Sequence, residues 1–267
     1  EALAQYNRVL ERRNALLKSL RERGATRDRN GARLGNGARL NNGASEQLEF
    51  WDERLIEHGS LIVARRQQAA VDLEALARPV HDDLSGGRER LRLRYLPSFD
   101  PHPQADARQM SLTLDLMPSV SLPQKPEAIR PAFEQALRAA RGEELARGMT
   151  ILGPHRDEFR FFDGQIDLHT YGSRGQQRTT VLALKLAEVA LMARATGEQP
   201  ILLLDDVLSE LDTDRRRYLC GQLSRVEQAL ITTTDLGDLT EELRGTATVY
   251  RVEQGRLEVV NNNEQAS

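Results

Sequence analysis

The sequence predicts an α/β fold joined to a pair of long helices, and three stretches carry that prediction. Pro200–Asp212 reads PILLLDDVLSELD, an apolar run bounded by a proline and two carboxylates, which suits a buried strand of a parallel sheet. Tyr171–Thr180 reads YGSRGQQRTT and opens a helical run from Gln176 to about Ala195. The third observation is a heptad pattern near the start of the chain, with Leu3, Leu10 and Leu17 seven apart and Tyr6, Arg13 and Leu20 forming a second such row.

The elements follow in order. Residues 1–22 are expected to be helical, and residues 46–77 carry a matching stripe of Leu48, Leu55, Ile62, Ala69 and Leu76. Two such helices fit an antiparallel helical hairpin, or equally two core helices of a globular bundle. Between them, residues 23–45 repeat the string NGARL without apolar periodicity and are expected to form a mobile loop. That string lacks the Gly-Lys-Ser/Thr of a phosphate-binding P-loop. Leu91–Leu96 and Met110–Leu116 alternate as strands. A helix is expected from Glu127 to Arg147, then a hairpin of Glu158–Phe162 and Gln165–His169 turning at Asp163-Gly164. The helix after Gln176 is apolar on most sides and is expected to be largely buried. A short helix past Asp214 and a second apolar run, Ala229–Ile231, complete a parallel crossover. The closing hairpin turns at Gln254-Gly255, and the tail beyond Val260 is expected to fray.

Bulk properties set limits. The 267 residues carry a net charge of −3, which excludes a uniformly basic nucleic-acid binder and leaves room for a local basic face. Residues 1–45 supply that face, with ten basic against four acidic residues, a local balance of +6. Arg12, Arg13, Arg21 and Arg23 are its candidate DNA-binding residues, a basic patch being the footprint that a phosphodiester backbone requires. The plainer reading is a solvated helix face. The single cysteine, Cys220, excludes an internal disulfide and fits a reducing cytoplasm. No run reaches the roughly 18 apolar residues of a membrane span, and no signal peptide is visible. The chain begins at Glu1 inside a helical pattern and is expected to be a piece of a longer protein.

The chemistry concentrates in the second half. Asp205 and Asp206 leave the apolar strand at its carboxyl end, where open α/β sheets bind ligands. One acid there can hold a hydrated Mg²⁺ and its neighbour can orient a water. Ser173, Arg174, Gly175 and Gln176 open a helix whose unpaired N–H groups and dipole favour phosphate.

Taken together these motifs resemble those of the ABC-type ATPases. Ser173-Arg174-Gly175-Gln176 is similar to their signature loop, Asp205 to the Walker B aspartate, and Ser209-Glu210-Leu211-Asp212 to the D-loop. Within that superfamily the wording of YNRVLERRNALLK (Tyr6–Lys18), GPHRDEF (Gly153–Phe159) and YGSRGQQRT resembles the RecF family of bacterial recombination mediators. The resemblance covers nearly the whole chain apart from residues 23–45. It implies the C-terminal half of an ABC-type ATPase lobe over residues 146–267 and an arm lobe with the helical hairpin over 1–145. It implies ATP and Mg²⁺ as cofactors, Asp205 holding the Mg²⁺ through a water, and Asp206 as the catalytic carboxylate. Thr234 stands where the family's switch histidine is usual, Asp206 where a glutamate is usual, and Arg174 in place of the first signature glycine. Ser173, Arg174, Gly175, Gln176 and Asp212 would meet a nucleotide held by a second subunit in an ATP-dependent homodimer. The implied process is recombinational gap repair and replication on single-stranded and duplex DNA (gaps and junctions), loading RecA with RecR as partner, in the cytoplasm and away from membranes. The implied ATPase is weak and DNA-dependent, and the chain as given, without a Walker A loop, is expected to be inactive alone.

Two other readings compete. Asp205, Asp206, Asp212 and Asp214 could hold two metals of a nuclease, although Asp212 follows a turn rather than a strand end. A non-enzymatic coiled-coil protein would account for the hairpin but not for the signature loop or the acid pair.

Overall fold

The computed structural model describes residues 1–28, 42–101 and 123–260. The NGARL repeats, the expected strand Met110–Leu116 and the tail beyond Val260 lie outside the described residues. The chain divides into two compact units, the first formed by Glu1–Ala75 and Leu91–Gly172, the second by Leu76–Arg90 and Ser173–Ser267. Residues 146–172, expected with the second lobe, therefore pack with the first unit.

In the first unit, α1 (Ala2–Asp28) and α2 (Asn42–Ser85) are longer than the heptads predicted, so residues 23–28 and 42–45 of the expected loop are helical. The last turns of α2, from Leu76, belong to the second unit. Leu48, Asp52, Leu55, Gly59, Val63, Gln67, Ala70, Glu74, Ala77 and His81 of α2 are all buried. They recur at steps of four or three residues, the seam of a helix that packs along one face. In and beside that row, four buried polar groups stand seven residues apart: Ser60, Gln67, Glu74 and His81. Two of them bond to backbone in the same unit. Glu74 accepts the Leu93 N–H at 2.8 Å, and Gln67 accepts that of Gln124 at 3.0 Å.

Strand β1 (Leu91–Leu96) alternates as expected, burying Leu91, Leu93 and Tyr95. It pairs antiparallel with β2 (Glu158–Asp163), which turns into the short β3 (Ile166–Asp167). The turn residues are Gly164 and Gln165 rather than Asp163 and Gly164. Only Gly164, at φ +58°, takes the left-handed conformation there. Helix α3 (Pro126–Arg147) starts on a proline at its first turn and stops at Gly148, left-handed at φ 71°, whose N–H bonds the Glu144 carbonyl. The four-residue α4 (Leu168–Tyr171) ends this unit. The core gathers Tyr6, Val9, Leu55, Ile62, Leu93, Ile129, Phe133 and Leu137, with Phe99 stacked on Phe133 at 4.4 Å.

The second unit opens with α5 (Arg174–Thr196), capped by Ser173 and ended by a left-handed Gly197. Strands β4 (Leu202–Asp205) and β5 (Ala229–Thr232) pair in parallel, with α6 (Thr213–Leu223) between them in sequence, as the crossover predicts. Helix α7 (Glu241–Thr246) and the hairpin β6 (Tyr250–Glu253) and β7 (Arg256–Val259) follow. Gln254 and Gly255 turn that hairpin at φ 49° and 77°, the two positive angles of a tight two-residue loop. Leu182, Leu208, Leu211, Leu219, Cys220, Leu223 and Leu243 form the core. Helix α5 is less buried than its apolar composition suggests. Only one stripe packs on this core, while Val181 and Met192, 57% and 46% exposed, line a cavity of about 820 Å³ beside Ile201, which precedes β4, and Leu203 within it. Among the described residues no helix is long and apolar enough to cross a membrane.

Candidate functional site

The signature segment folds as a capping box. The Gln176 N–H donates to Ser173 Oγ at 3.2 Å, and the Ser173 N–H donates to Gln176 Oε1 at 2.9 Å. The Gln176 amide is thus spent inside the loop rather than open to a phosphate. The amides of Arg174 and Gly175 have no acceptor among the described residues, and they stand at the positive end of a 23-residue helix. Ser173 uses a lone pair for its cap and keeps its hydroxyl proton for a ligand. Arg174 is exposed and lines the same cavity as Asp205 and Asp206.

The two glycines beside the loop differ in what holds them. A Cβ on Gly172 would come within 2.4 Å of the Leu168 carbonyl oxygen, so its own backbone demands glycine. A Cβ on Gly175 would meet nothing nearer than Ser173 Oγ at 3.8 Å and the Arg215 guanidinium at 3.9 Å. Gly175 is also the second residue of α5, and glycine costs up to about 1 kcal/mol relative to alanine in a helix. Nothing among the described residues requires it.

Both acids sit at the carboxyl end of β4 as expected, and both are exposed. Pairing with β5 sets Thr232 beside Asp205, and the Thr232 hydroxyl donates to Asp205 Oδ1 at 2.6 Å. The Asp206 N–H in turn reaches Thr232 Oγ1 at 3.0 Å and the Thr232 carbonyl at 3.2 Å. Asp206 is left-handed at φ 49°, a conformation that non-glycine residues adopt at a cost of roughly 1–3 kcal/mol and that clusters at functional sites. Thr234 is exposed and bonds neither acid. Thr232 is the threonine that touches them, and its only signal in the sequence is the alignment of two apolar runs each ending in a polar residue. The Asp205 carboxylate, with one oxygen oriented by a hydroxyl and the other open, fits a water-mediated Mg²⁺ ligand.

The D-loop is tied to both. Ser209 Oγ donates to the Asp206 carbonyl at 2.9 Å, and Arg178 of α5 donates to the Glu210 carbonyl at 2.9 Å. Asp212 caps α6, one oxygen accepting the Arg215 N–H at 3.0 Å and the other the Arg215 guanidinium at 2.5 Å. Asp214 pairs with Arg217 at 3.2 Å. These carboxylates are engaged by arginines, and among the described residues no group of three metal-ligating side chains occurs.

In the first unit the four candidate DNA-binding arginines divide. Arg12 and Arg23 are exposed on α1. Arg21 is exposed and donates to the Arg147 carbonyl at 2.9 Å, at the end of α3. Arg13 is a correction. It is fully buried, its Nε on Asp52 at 2.8 Å, its terminal nitrogens on Glu144 at 2.6 and 3.1 Å and on Thr150 at 2.6 Å. A guanidinium shared between two buried carboxylates has no face left for a phosphate. On the opposite side of α2 from its buried row stand Glu46, Glu49 and Glu53, all exposed beside Phe50, so the first turns of α2 are acidic where α1 is basic.

The GPHRD segment is structural. Asp157, its side chain fully buried, accepts the Tyr95 hydroxyl and the Ser98 N–H and faces Arg66 at 3.8 Å. His155 Nε2 donates to the Thr150 carbonyl at 3.3 Å, which leaves Nδ1 to accept the Tyr6 hydroxyl at 2.8 Å. Burial pushes the His155 pKa below its ordinary 6.5.

No family model matches the chain. Curated relatives do. The chain is 38% identical over 256 residues to the DNA replication and repair protein RecF of Chloroflexus aurantiacus, covering 96% of the chain and 57% of that protein. It is 39% identical over 256 residues to RecF of Synechocystis sp., covering 96% and 59%. Among solved structures, the recombination mediator protein RecF of the RecFOR pathway, with ATPrS and with ATP, superposes with a TM-score of 0.71 at 27% identity. That match covers 97% of the chain and 58% of the RecF chain. The chain thus spans less than three-fifths of the length of the relatives it matches. The resemblance read from the motifs and the expected α/β fold of an ABC-type ATPase with a helical part are both borne out.

Proposed function

Since the chain is a RecF homologue along 96% of its length, we propose that it is the signature-bearing part of an ATP-dependent DNA-binding protein of replication and recombinational gap repair. In this reading the complete protein dimerises around Mg·ATP, hydrolyses it slowly and, with RecR, promotes loading of RecA at gaps and junctions in DNA. The unit of Leu76–Arg90 and Ser173–Ser267 serves the ATPase lobe, and that of Glu1–Ala75 and Leu91–Gly172 the arm. The observation that carries the reading is Gly175, a helical glycine that nothing among the described residues requires, whose own amide and that of Arg174 have no acceptor among them. A close approach by a ligand from outside the chain accounts for both.

Within that site Ser173, Arg174 and Gly175 face the triphosphate of a second subunit, Asp205 holds Mg²⁺ through a water, and Asp206 orients the attacking water. Thr232 fixes the Asp205 carboxylate, and Thr234 occupies the position of the switch residue. When bound, Mg²⁺ would offset charge on the phosphate oxygens. The exposed arginines of α1 attract the DNA backbone.

The test is to mix the complete gene product with Mg²⁺, ATP and gapped duplex DNA and to follow phosphate release and strand scission together. Slow phosphate release without scission is expected. Scission without ATP would replace this reading with the nuclease, against which Asp212 and Asp214 are already engaged by Arg215 and Arg217.

A further inference from the structure

The signature loop has a neighbour that the motif reading does not assign. Arg215, on the first turn of α6, holds Asp212 of the D-loop through its backbone N–H and its guanidinium. Both terminal nitrogens of that guanidinium lie 3.9 Å from a Cβ placed on Gly175. Its side chain is 22% exposed, and its Nε is buried without an acceptor among the described residues. One terminal nitrogen of this planar cation thus bonds Asp212 of the D-loop, while both flank the signature glycine.

We infer that Arg215 is a positioning residue that couples the D-loop to the signature loop, so that the two present one surface to the nucleotide of a second subunit. The inference rests on the reading proposed above. The physical argument is geometric. Asp212 cannot change its cap without moving Arg215, and the guanidinium cannot move without opening or closing the space over Gly175. The planar fork matters because it serves the carboxylate and the glycine at once, which a point ammonium on a flexible stem does less well. The arrangement is also poised to move. A buried Nε–H without a partner is an unfavourable resting state, and a shift of the guanidinium when a triphosphate arrives would free that group to bond. Arg178, which joins α5 to the Glu210 carbonyl, braces the other end of the same loop.

The experiment uses the complete gene product and sedimentation with and without Mg·ATP, comparing Arg215→Gln, Arg215→Lys and Ser173→Arg. Arg215→Gln should weaken ATP-driven association at least tenfold while the thermal midpoint of the nucleotide-free protein stays within about 2 °C of the parent. Arg215→Lys should recover part of the association, because it restores the charge on Asp212 without the fork. Unchanged association in Arg215→Gln, with Ser173→Arg defective, would overturn the role of Arg215 alone. A fall in thermal midpoint that tracks the loss of association would reduce Arg215 to a structural pair with Asp212 and likewise overturn it. Parental association in Ser173→Arg would instead overturn the reading of the site itself.

Discussion

Arg13 and Glu144, 131 positions apart in the chain, meet in a two-pronged pair at 2.6 and 3.1 Å with neither side chain exposed to solvent. With Asp52 on the remaining edge and Arg141 beyond it, the pair joins α1, α2 and α3. Removing one partner of such a network strands a buried charge, at a cost of about 3–5 kcal/mol. Arg13→Gln is therefore expected to lower the urea midpoint sharply, and a loss under about 1 kcal/mol in equilibrium unfolding would contradict this account of α1.

DNA attraction should follow the exposed arginines instead. Arg12→Gln and Arg23→Gln, alone and together, are expected to weaken binding equally on all sequences. Each lost phosphate contact should flatten the dependence of log K on log[salt] by about 0.9 on duplex DNA. An unchanged slope would mean that these residues only solvate the helix.

The His155 imidazole gives a pH dependence of known sign. Its folded pKa lies below the ordinary 6.5 because burial disfavours the charged ring. The unfolded chain consequently takes up the proton first as pH falls. The stability contributed by neutral His155 is complete above about pH 6.5 and declines below it. His155→Gln should flatten the fall in urea midpoint between pH 6.5 and 5.5, and an identical fall in parent and variant would remove His155 as the cause.

Asp206→Asn should block hydrolysis and spare the fold. Asparagine tolerates the left-handed conformation that Asp206 adopts at φ 49°, so the strand end keeps its shape while the carboxylate is lost. Turnover in the complete gene product should drop by about 10²–10⁴-fold, the usual cost of removing a base or water-orienting group. Turnover within a few-fold of the parent would assign the water to another residue.

Much of this fold was legible in the sequence because its signals are local. Gly148 and Gly197 end helices, Gln254-Gly255 turns a hairpin, and two apolar runs separated by a helix pair in parallel. The acid pair and the capped signature loop were legible for the same reason. Contacts between distant residues were harder to read. Arg13 shares the seven-residue row of Tyr6 and Leu20, which marks it as inward-facing, yet its carboxylate partners lie 39 and 131 positions away. Thr232 becomes part of the site only through the register of β4 on β5. The burial of α5 was overestimated because apolar composition does not say which stripe has a partner, and Val181 and Met192 face a cavity.

Gly175→Ala tests the central claim most directly, because within the chain it costs nothing. The added methyl makes only ordinary contacts, at 3.8 and 3.9 Å, and removes a helical glycine. The variant should match the parent in stability or gain up to about 1 kcal/mol. If the loop receives a triphosphate from a second subunit, the same methyl obstructs it. Sedimentation of the complete gene product with Mg·ATP should then show the parent as a dimer and Gly175→Ala largely as a monomer. Equal dimerisation of the two would mean that no ligand approaches Gly175, and the nucleotide would have to be sought elsewhere.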